Sequence, residues 1–163
     1  FFAGLYGTTL GYTHAGLFYT ISAVSMIIIR MISKHFMDTV PAIKTMTGAV
    51  ACGILCCLML LAAPYGEPVF LASGIFYGLA TGISLPLNQS IAVKITPPER
   101  WGAANALFLL ANDIGIGFAS VIWGVINDSF GFQTSIVCVI VCLIASYASA
   151  WIVYPARDKR WRH

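Results

Sequence analysis

The stretch WGAANALFLLANDIGIGFASVIWGVIN, residues 101–127, carries one charge, the carboxylate of Asp113. A helix needs about 20 apolar residues to cross a bilayer core, so this stretch is long enough to span a membrane. The nearest basic residues along the chain are Arg100 and Arg157, and both lie outside the stretch. The pattern therefore predicts a transmembrane helix that carries a single acid with no basic partner of its own.

The composition of the whole chain agrees with a membrane location. Its 163 residues are 59% hydrophobic and only 9% charged, and the mean hydropathy is +0.85. Soluble domains carry about 25% charged residues, and so few charges cannot cover a water-soluble surface of this size. There is no basic patch interleaved with aromatic residues and no secretory signal peptide. The sequence therefore predicts an integral membrane protein, in contact with lipid, that binds no nucleic acid.

Further runs without charge predict the other spans. The opening run, 1–29, is too long for one span and is divided by the polar, turn-rich stretch GTTLGYTHAG at 7–16. The chain also opens without a methionine or a polar lead-in, so we expect a fragment that begins inside a helix. We predict an all-α, polytopic transmembrane bundle over 1–156. Its parts are a stub over about residues 1–9 and five complete helices at 14–33, 42–63, 68–93, 98–126 and 132–154.

The basic residues predict how the bundle is oriented. Short connectors make consecutive helices antiparallel neighbours, and with this alternation all nine Lys and Arg residues fall on one side. The connectors on the other side contain only Glu67 and Asp128 as charged residues. Because cytoplasmic loops are enriched in Lys and Arg, we expect a basic cytoplasmic tail at 157–163 and a multi-pass protein of the cell (plasma or inner) membrane.

Asp113 is the first candidate functional residue. At 1.5 Å per residue it lies roughly 18 Å from either end of its predicted span, close to the bilayer midplane. Acids at this depth are costly and normally face a bundle interior or a water-filled cavity. Asn105 and Asn112 are seven residues apart and share a stripe beside it. We expect these three residues to bind solute or protons, with the proton as coupling ion. The alternative is a neutral Asp113 that only hydrogen-bonds a neighbouring helix.

Small residues and one proline mark the helices that contact their neighbours. Two sets of glycines are expected to let helix backbones approach closely, and Pro86 is expected to kink its helix. Asn88 and Gln89 follow Pro86 and are expected to satisfy the kink or to line the inner end of a cavity. The stretch TPPE predicts a helix start with Thr96 as N-cap. The glycines are Gly74, Gly78 and Gly82 in one helix, and Gly115, Gly117 and Gly124 in the next.

The chain has no recognisable catalytic or metal-binding pattern. The motifs of zinc proteases, serine hydrolases and P-loop proteins are absent. The five cysteines lie within predicted spans, with no His or carboxylate beside them, so we expect small buried residues and no metal site. The sequence therefore predicts a protein that is not an enzyme and needs no cofactor.

Two stretches of the chain resemble the major facilitator superfamily. GLFYTISAVSMIIIRMISKHFMD, at 16–38, is similar to the eighth helix and the following loop of that family, with Arg30 and Asp38 at matching positions. Lys34, His35 and Pro41 depart from the loop pattern. PPERWGAANALFLLANDIGIG, at 97–117, resembles the loop and eleventh helix of the drug-efflux-like branch. The positions that match there are Pro98, Arg100, Gly102, Asp113, Gly115 and Gly117.

This resemblance covers essentially the whole chain and implies the C-terminal half of a twelve-helix transporter. The partners implied are the missing N-terminal half and a small-molecule solute, which would bind at the midplane between the halves. Asp113, Asn112 and Asn105 would then lie on a cavity-lining helix. Arg30, Asp38 and the helix start at Arg100 would form a conformational latch between the halves.

These observations favour a fragment of a secondary active transporter. It would move a small solute by alternating access, with proton coupling and in the direction of efflux. One alternative is a transport-inactive membrane adaptor or sensor. A less favoured alternative is an intramembrane enzyme, which would need a second catalytic group at the depth of Asp113.

Overall fold

The chain folds into helices, as the computed structural model shows. The structure describes residues 2–153. For residues 34–39 and 152–153 it describes the backbone and not the side chains. There is no strand among these residues, so the all-α fold class is confirmed. The helices are α1 (Phe2–Thr9), α2 (Leu17–Thr39), α3 (Ala42–Leu61), α4 (Glu67–Lys94) and α5 (Trp101–Val153), with short 3-10 turns at Ala63–Tyr65 and Pro98–Arg100.

The helices have the length and composition of membrane spans. Ala42–Leu61, Glu67–Lys94 and the 54-residue stretch Pro98–Trp151 are each long and apolar enough to cross a bilayer, and Leu17–Ser33 is a shorter apolar helix. None of the most apolar part of Pro98–Trp151 is buried inside the protein. Apolar helices that stay exposed need lipid around them, so the chain is a multi-pass membrane protein.

Gly131 divides α5 into two helices. Its φ of 81° and ψ of 168° are not helical, and this region of backbone space is essentially reserved for glycine. The residues on both sides are helical, which makes segments 101–130 and 132–153 the two arms of a hairpin. The sequence predicted a connector over 127–132, whereas only Gly131 leaves the helical conformation.

The closest packing in the bundle joins α2 to α4. A methyl group on Gly74 would lie 2.9 Å from the Phe18 carbonyl oxygen, and one on Gly78 would overlap the Ser22 carbonyl oxygen. At Gly82 it would overlap the Ile29 side chain. The expectation that these three glycines bring helix backbones together is confirmed. We refer to this contact as the α2–α4 seam.

A small core lies at one end of the seam. It consists of buried residues from α1 and the loop after it, α2, the turn before α4, and α4 itself: Tyr6, Ala15, Phe18, Ala63 and Phe70. The Tyr12 hydroxyl donates to the Ala63 carbonyl oxygen, and the backbone N–H of His14 donates to Glu67 Oε1 over 3.0 Å. These bonds tie the loop after α1 to the start of α4. The other end of the bundle, where the chain carries Arg30, Lys44, Lys94 and Arg100, is called the basic end below.

Two helix boundaries differ from the sequence prediction. The predicted helix 14–33 begins at Leu17 and continues through a charged stretch to Thr39. Lysine and methionine are both good helix formers, so the charged residues of this stretch do not end the helix. Thr96 is not an N-cap, because its hydroxyl donates to the Ala92 carbonyl oxygen in the turn that ends α4. Helix α5 begins after the 3-10 turn, at Trp101.

Candidate functional site

The first arm of α5, segment 101–130, is packed on one face only. As far as Ile122, its half-buried residues are Ala104, Asn105, Phe108, Asn112 and Ala119, which follow one another at helical spacing. The rest of the circumference as far as Ile122 is exposed, with Phe118 at 70% and Val121 at 67%. Two kinds of uncovered surface therefore flank the packed face, one apolar and the other small and polar.

Asp113 lies on the small, polar side of this arm. Its neighbours along the same side are Ala106, Gly117 and Ser120, all exposed. Within the described residues the Asp113 carboxylate has no hydrogen bond and no ion pair, and Ser120 donates to its own helix at the Gly117 carbonyl oxygen. The described helices thus leave the carboxylate on an open face, and none of them hydrogen-bonds it.

The two asparagines lie on the packed face. Asn112 and Asn105 are both half-buried, and Asn105 Oδ1 accepts a hydrogen bond from Gln89 Nε2 of α4 over 2.5 Å. Asn112 is adjacent to Asp113 along the chain, about 100° round the helix. The structure therefore brings Asn112 to the edge of the Asp113 face and uses Asn105 to join α5 to α4.

The glycines near Asp113 do not serve the role that the sequence predicted. A methyl group on Gly115 or Gly117 would meet nothing within 4 Å, and one on Gly124 would meet only the Phe2 ring at 3.8 Å. Close packing of helix backbones is therefore wrong for Gly115 and Gly117 within the described part of the chain. Gly117, one turn after Asp113 on the same side of α5, keeps the helix surface narrow beside the carboxylate, whereas Gly115 lies on the opposite side of the helix.

The residues expected in the latch lie at the basic end. Arg30 is exposed on α2 and Arg100 is exposed in the 3-10 turn. Neither makes an ion pair with another described residue. Asp38 lies in the last turn of α2, and its side chain is outside the described residues. The structure places Arg30 and Arg100 at one end of the bundle and leaves their role as a prediction.

A small cavity lies away from Asp113. It has a volume of about 160 Å³ between α1, α3 and the two arms of α5, and its lining includes Tyr6, Cys57, Trp123 and Phe132. The surface it presents is apolar. Its lining contains no charged residue, and Asn127 and Ser135 are its small polar residues, so the candidate site remains the open face of α5.

Two polar contacts that organise the bundle were not predicted from the sequence. The Gln89–Asn105 bond joins residues sixteen positions apart, and the amide of Gln89 does not satisfy the helix around Pro86 as expected. The bond of the His14 N–H to Glu67 spans 53 positions. One signal was available for the first pair. Two amide side chains in adjacent predicted spans, each about one turn from the same short connector, are at matching depth.

Comparison with known proteins identifies the family of the chain. The family model described as Major Facilitator Superfamily matches residues 1–163. The Staphylopine export protein of Staphylococcus aureus strain Mu50 is 26% identical in an alignment of 162 positions that covers 95% of this chain. The chain spans 41% of the length of that protein. No solved structure matched the chain.

Proposed function

Since the chain belongs to the Major Facilitator Superfamily, we propose that it is part of a secondary transporter that exports a small solute by alternating access. Proton movement drives the transport, and Asp113 is the group that binds the proton or the solute. Asn112 supplies an amide at the edge of the same face. Asn105 belongs to the same polar set, and its hydrogen bond to Gln89 joins the set to α4.

The observation that carries the proposal is the single acid on an uncovered, small and polar face of a membrane helix. An ionisable side chain in lipid is expensive and is normally placed toward water or toward protein. The apolar side of the same arm, which includes Phe118 and Val121, suits lipid. The side with Asp113 suits a water-filled path, where Gly117 and Ala106 leave room for a solute.

The related export protein supports the export direction, and the length of the chain supports a path that this chain forms only in part. The chain spans 41% of that protein. We propose that a second half of the same polypeptide supplies the other wall of the path, with the solute bound between the halves near the midplane.

The basic end has a separate role in the proposal. Arg30, Asp38 and Arg100 form contacts to the other half that hold one conformation closed. Because Lys and Arg are enriched on the cytoplasmic side, the basic end and the C-terminus are cytoplasmic, and the protein lies in the plasma or inner membrane.

The test is solute flux in proteoliposomes that contain the full-length parent protein under an imposed pH gradient. Because the related protein is a Staphylopine export protein, staphylopine is the first solute to test, within a broad panel. Asp113→Asn is expected to reduce gradient-driven flux to the rate of protein-free vesicles. Asp128→Asn, which removes an exposed acid elsewhere on α5, is the matched control and is expected to keep the parental rate.

Three outcomes separate the possible roles. Loss in Asp113→Asn alone supports the proposal. Unchanged flux in Asp113→Asn would keep a transporter but remove Asp113 from proton or solute binding. No flux from the unmutated parent across the panel would reject transport and favour the adaptor or sensor.

A further inference from the structure

One side-chain hydrogen bond joins α4 to α5 in the described part of the chain. Gln89 Nε2 donates to Asn105 Oδ1 over 2.5 Å, and both residues are half-buried. Gln89 lies about one turn before the end of α4 at Lys94, and Asn105 about one turn after the start of α5 at Trp101. The bond therefore closes the α4–α5 hairpin close to its short connector, at the basic end.

Few other contacts hold the first arm of α5 against α4. Helix α4 packs extensively against α2 and α3, and much less against α5. Gly115 and Gly117, farther along the arm, have open space around them. In a membrane an amide that loses its partner has no water to replace it, so a paired amide resists separation. The Gln89–Asn105 pair is thus a principal tether of this arm.

The segment of α4 that carries Gln89 is set apart from the seam. Pro86 has no N–H, so the Gly82 carbonyl group lacks the donor that the helix would otherwise supply. Gly82 is also the last glycine of the α2–α4 seam. Helix α4 is therefore packed tightly on α2 as far as Gly82, has a weaker hydrogen-bond ladder at Pro86, and is tied to α5 from Gln89 onward.

We propose that Gln89 is a positioning residue for transport. Through its bond to Asn105 it holds the arm 101–130 to the basic end of α4, so that the two move together and Asp113 keeps its orientation. This inference rests on the proposed transport function. Asp113 is eight residues beyond Asn105, about 12 Å along the helix. Gln89 therefore acts through Asn105 and does not touch a solute bound at Asp113.

The proposal predicts a change in the maximal flux without a change in the apparent KM. The variants are Gln89→Ala, Asn105→Ala, their combination, and the exchange Gln89→Asn with Asn105→Gln, all in the full-length parent. The exchange keeps the combined length of the two amide side chains and is expected to restore the bond. Ser90→Ala, next to Gln89 and also half-buried, is the matched control.

We expect Gln89 and Asn105 to behave as one functional unit. Each single alanine variant lowers the maximal flux of the panel solute by about threefold, the effect of losing one interhelical hydrogen bond of average strength. The double variant loses no more than the larger single loss, since the bond is removed only once. The exchange variant recovers most of the parental rate, and Ser90→Ala transports as the parent does.

Two results would overturn the positioning role while leaving transport intact. The first is parental flux in Gln89→Ala. The second is a raised KM in Asn105→Ala that Gln89→Ala does not share, which would make Asn105 a residue that contacts solute. Failure of the unmutated parent to move any solute would instead reject the proposed function, and the positioning role with it.

Discussion

Asp113 and Gly131 are single residues whose surroundings decide what a substitution changes. Asp113 lies on an uncovered face of α5 and has no partner among the described residues, so its replacement removes a charge and breaks no contact there. Gly131 has φ of 81° and ψ of 168° between two helical arms. Its replacement changes the backbone itself. We therefore expect function to be sensitive at position 113 and folding to be sensitive at position 131.

Gly131→Ala is expected to destabilise the full-length protein. A side chain at this φ and ψ adds strain of about 1–3 kcal/mol, and nothing near Gly131 offers compensating contacts, because an added methyl group would meet no atom within 4 Å. Thermal unfolding in detergent measures the effect. Gly48→Ala, on α3 with equally open surroundings, is the control and should unfold at the parental temperature or slightly above it, because alanine favours the helix. Equal unfolding temperatures for the two variants would contradict the strain argument.

At the scale of helices, the α2–α4 seam is the most constrained contact in the bundle. The glycines on α4 face backbone atoms of α2, including the carbonyl oxygens of Phe18 and Ser22. Backbone atoms cannot change rotamer, so a larger residue on α4 has to push the helices apart. The two helices should therefore behave as one rigid pair.

Gly78→Ala tests this rigidity. The added methyl group would overlap the Ser22 carbonyl oxygen and come 2.7 Å from Ser25 Cβ. We expect a loss of about 1–3 kcal/mol in unfolding free energy, the usual effect of overpacking, seen as a lower unfolding temperature. Gly117→Ala, on a helix surface with open space, should gain at most about 1 kcal/mol from helix propensity. If Gly78→Ala were as stable as Gly117→Ala, the seam would be looser than described.

Much of the helical layout could be predicted from the sequence, because uncharged runs of membrane length have few other uses. The predicted stub 1–9 and helices 42–63 and 68–93 agree with α1, α3 and α4 to within two residues. The extension of α2 to Thr39 was missed because charge ends an apolar run without ending a helix. At 127–132 the residues Asn, Asp and Gly predicted a turn of six residues, whereas in the structure only Gly131 leaves the helical conformation.

The candidate site could be predicted less completely, since exposure depends on which helices meet. The spacing of Asn105, Asn112 and Asp113 placed them on neighbouring stripes. It did not indicate that the asparagine stripe packs against the bundle while the Asp113 stripe stays uncovered. The glycine pattern had the same limit. Gly78 and Gly117 look alike in sequence, and only the fold shows which of them meets another backbone.

At the scale of the whole molecule, α5 presents two uncovered surfaces that call for different surroundings. The apolar surface includes Leu107, Phe118 and Val121, each about two-thirds exposed. The other surface includes Asp113 and Ser120. A membrane satisfies the first, whereas the second needs water, solute or another part of the protein.

Thiol labelling of the full-length protein can distinguish the two surfaces. In a parent whose native cysteines have been replaced, the proposed water-filled path beside Asp113 predicts that Ser120→Cys reacts with a charged, water-soluble thiol reagent. Phe118→Cys, two residues away, should stay unlabelled in lipid until the membrane is dissolved in denaturing detergent. Excess transported solute should slow labelling at Ser120→Cys. Equal labelling at the two positions would contradict the division of α5 into a lipid side and a path side.

The atom that meets Gly78 is a backbone carbonyl oxygen, and this limits how the protein can evolve. Exchanging side chains on α2 cannot remove that oxygen, so a change at position 78 has no compensating partner at positions 22 or 25. A combinatorial library randomised at all three positions would return glycine at 78 and diversity at the other two. Over a long divergence, the spacing of these two helices should outlast the identity of nearly every side chain that they present to lipid.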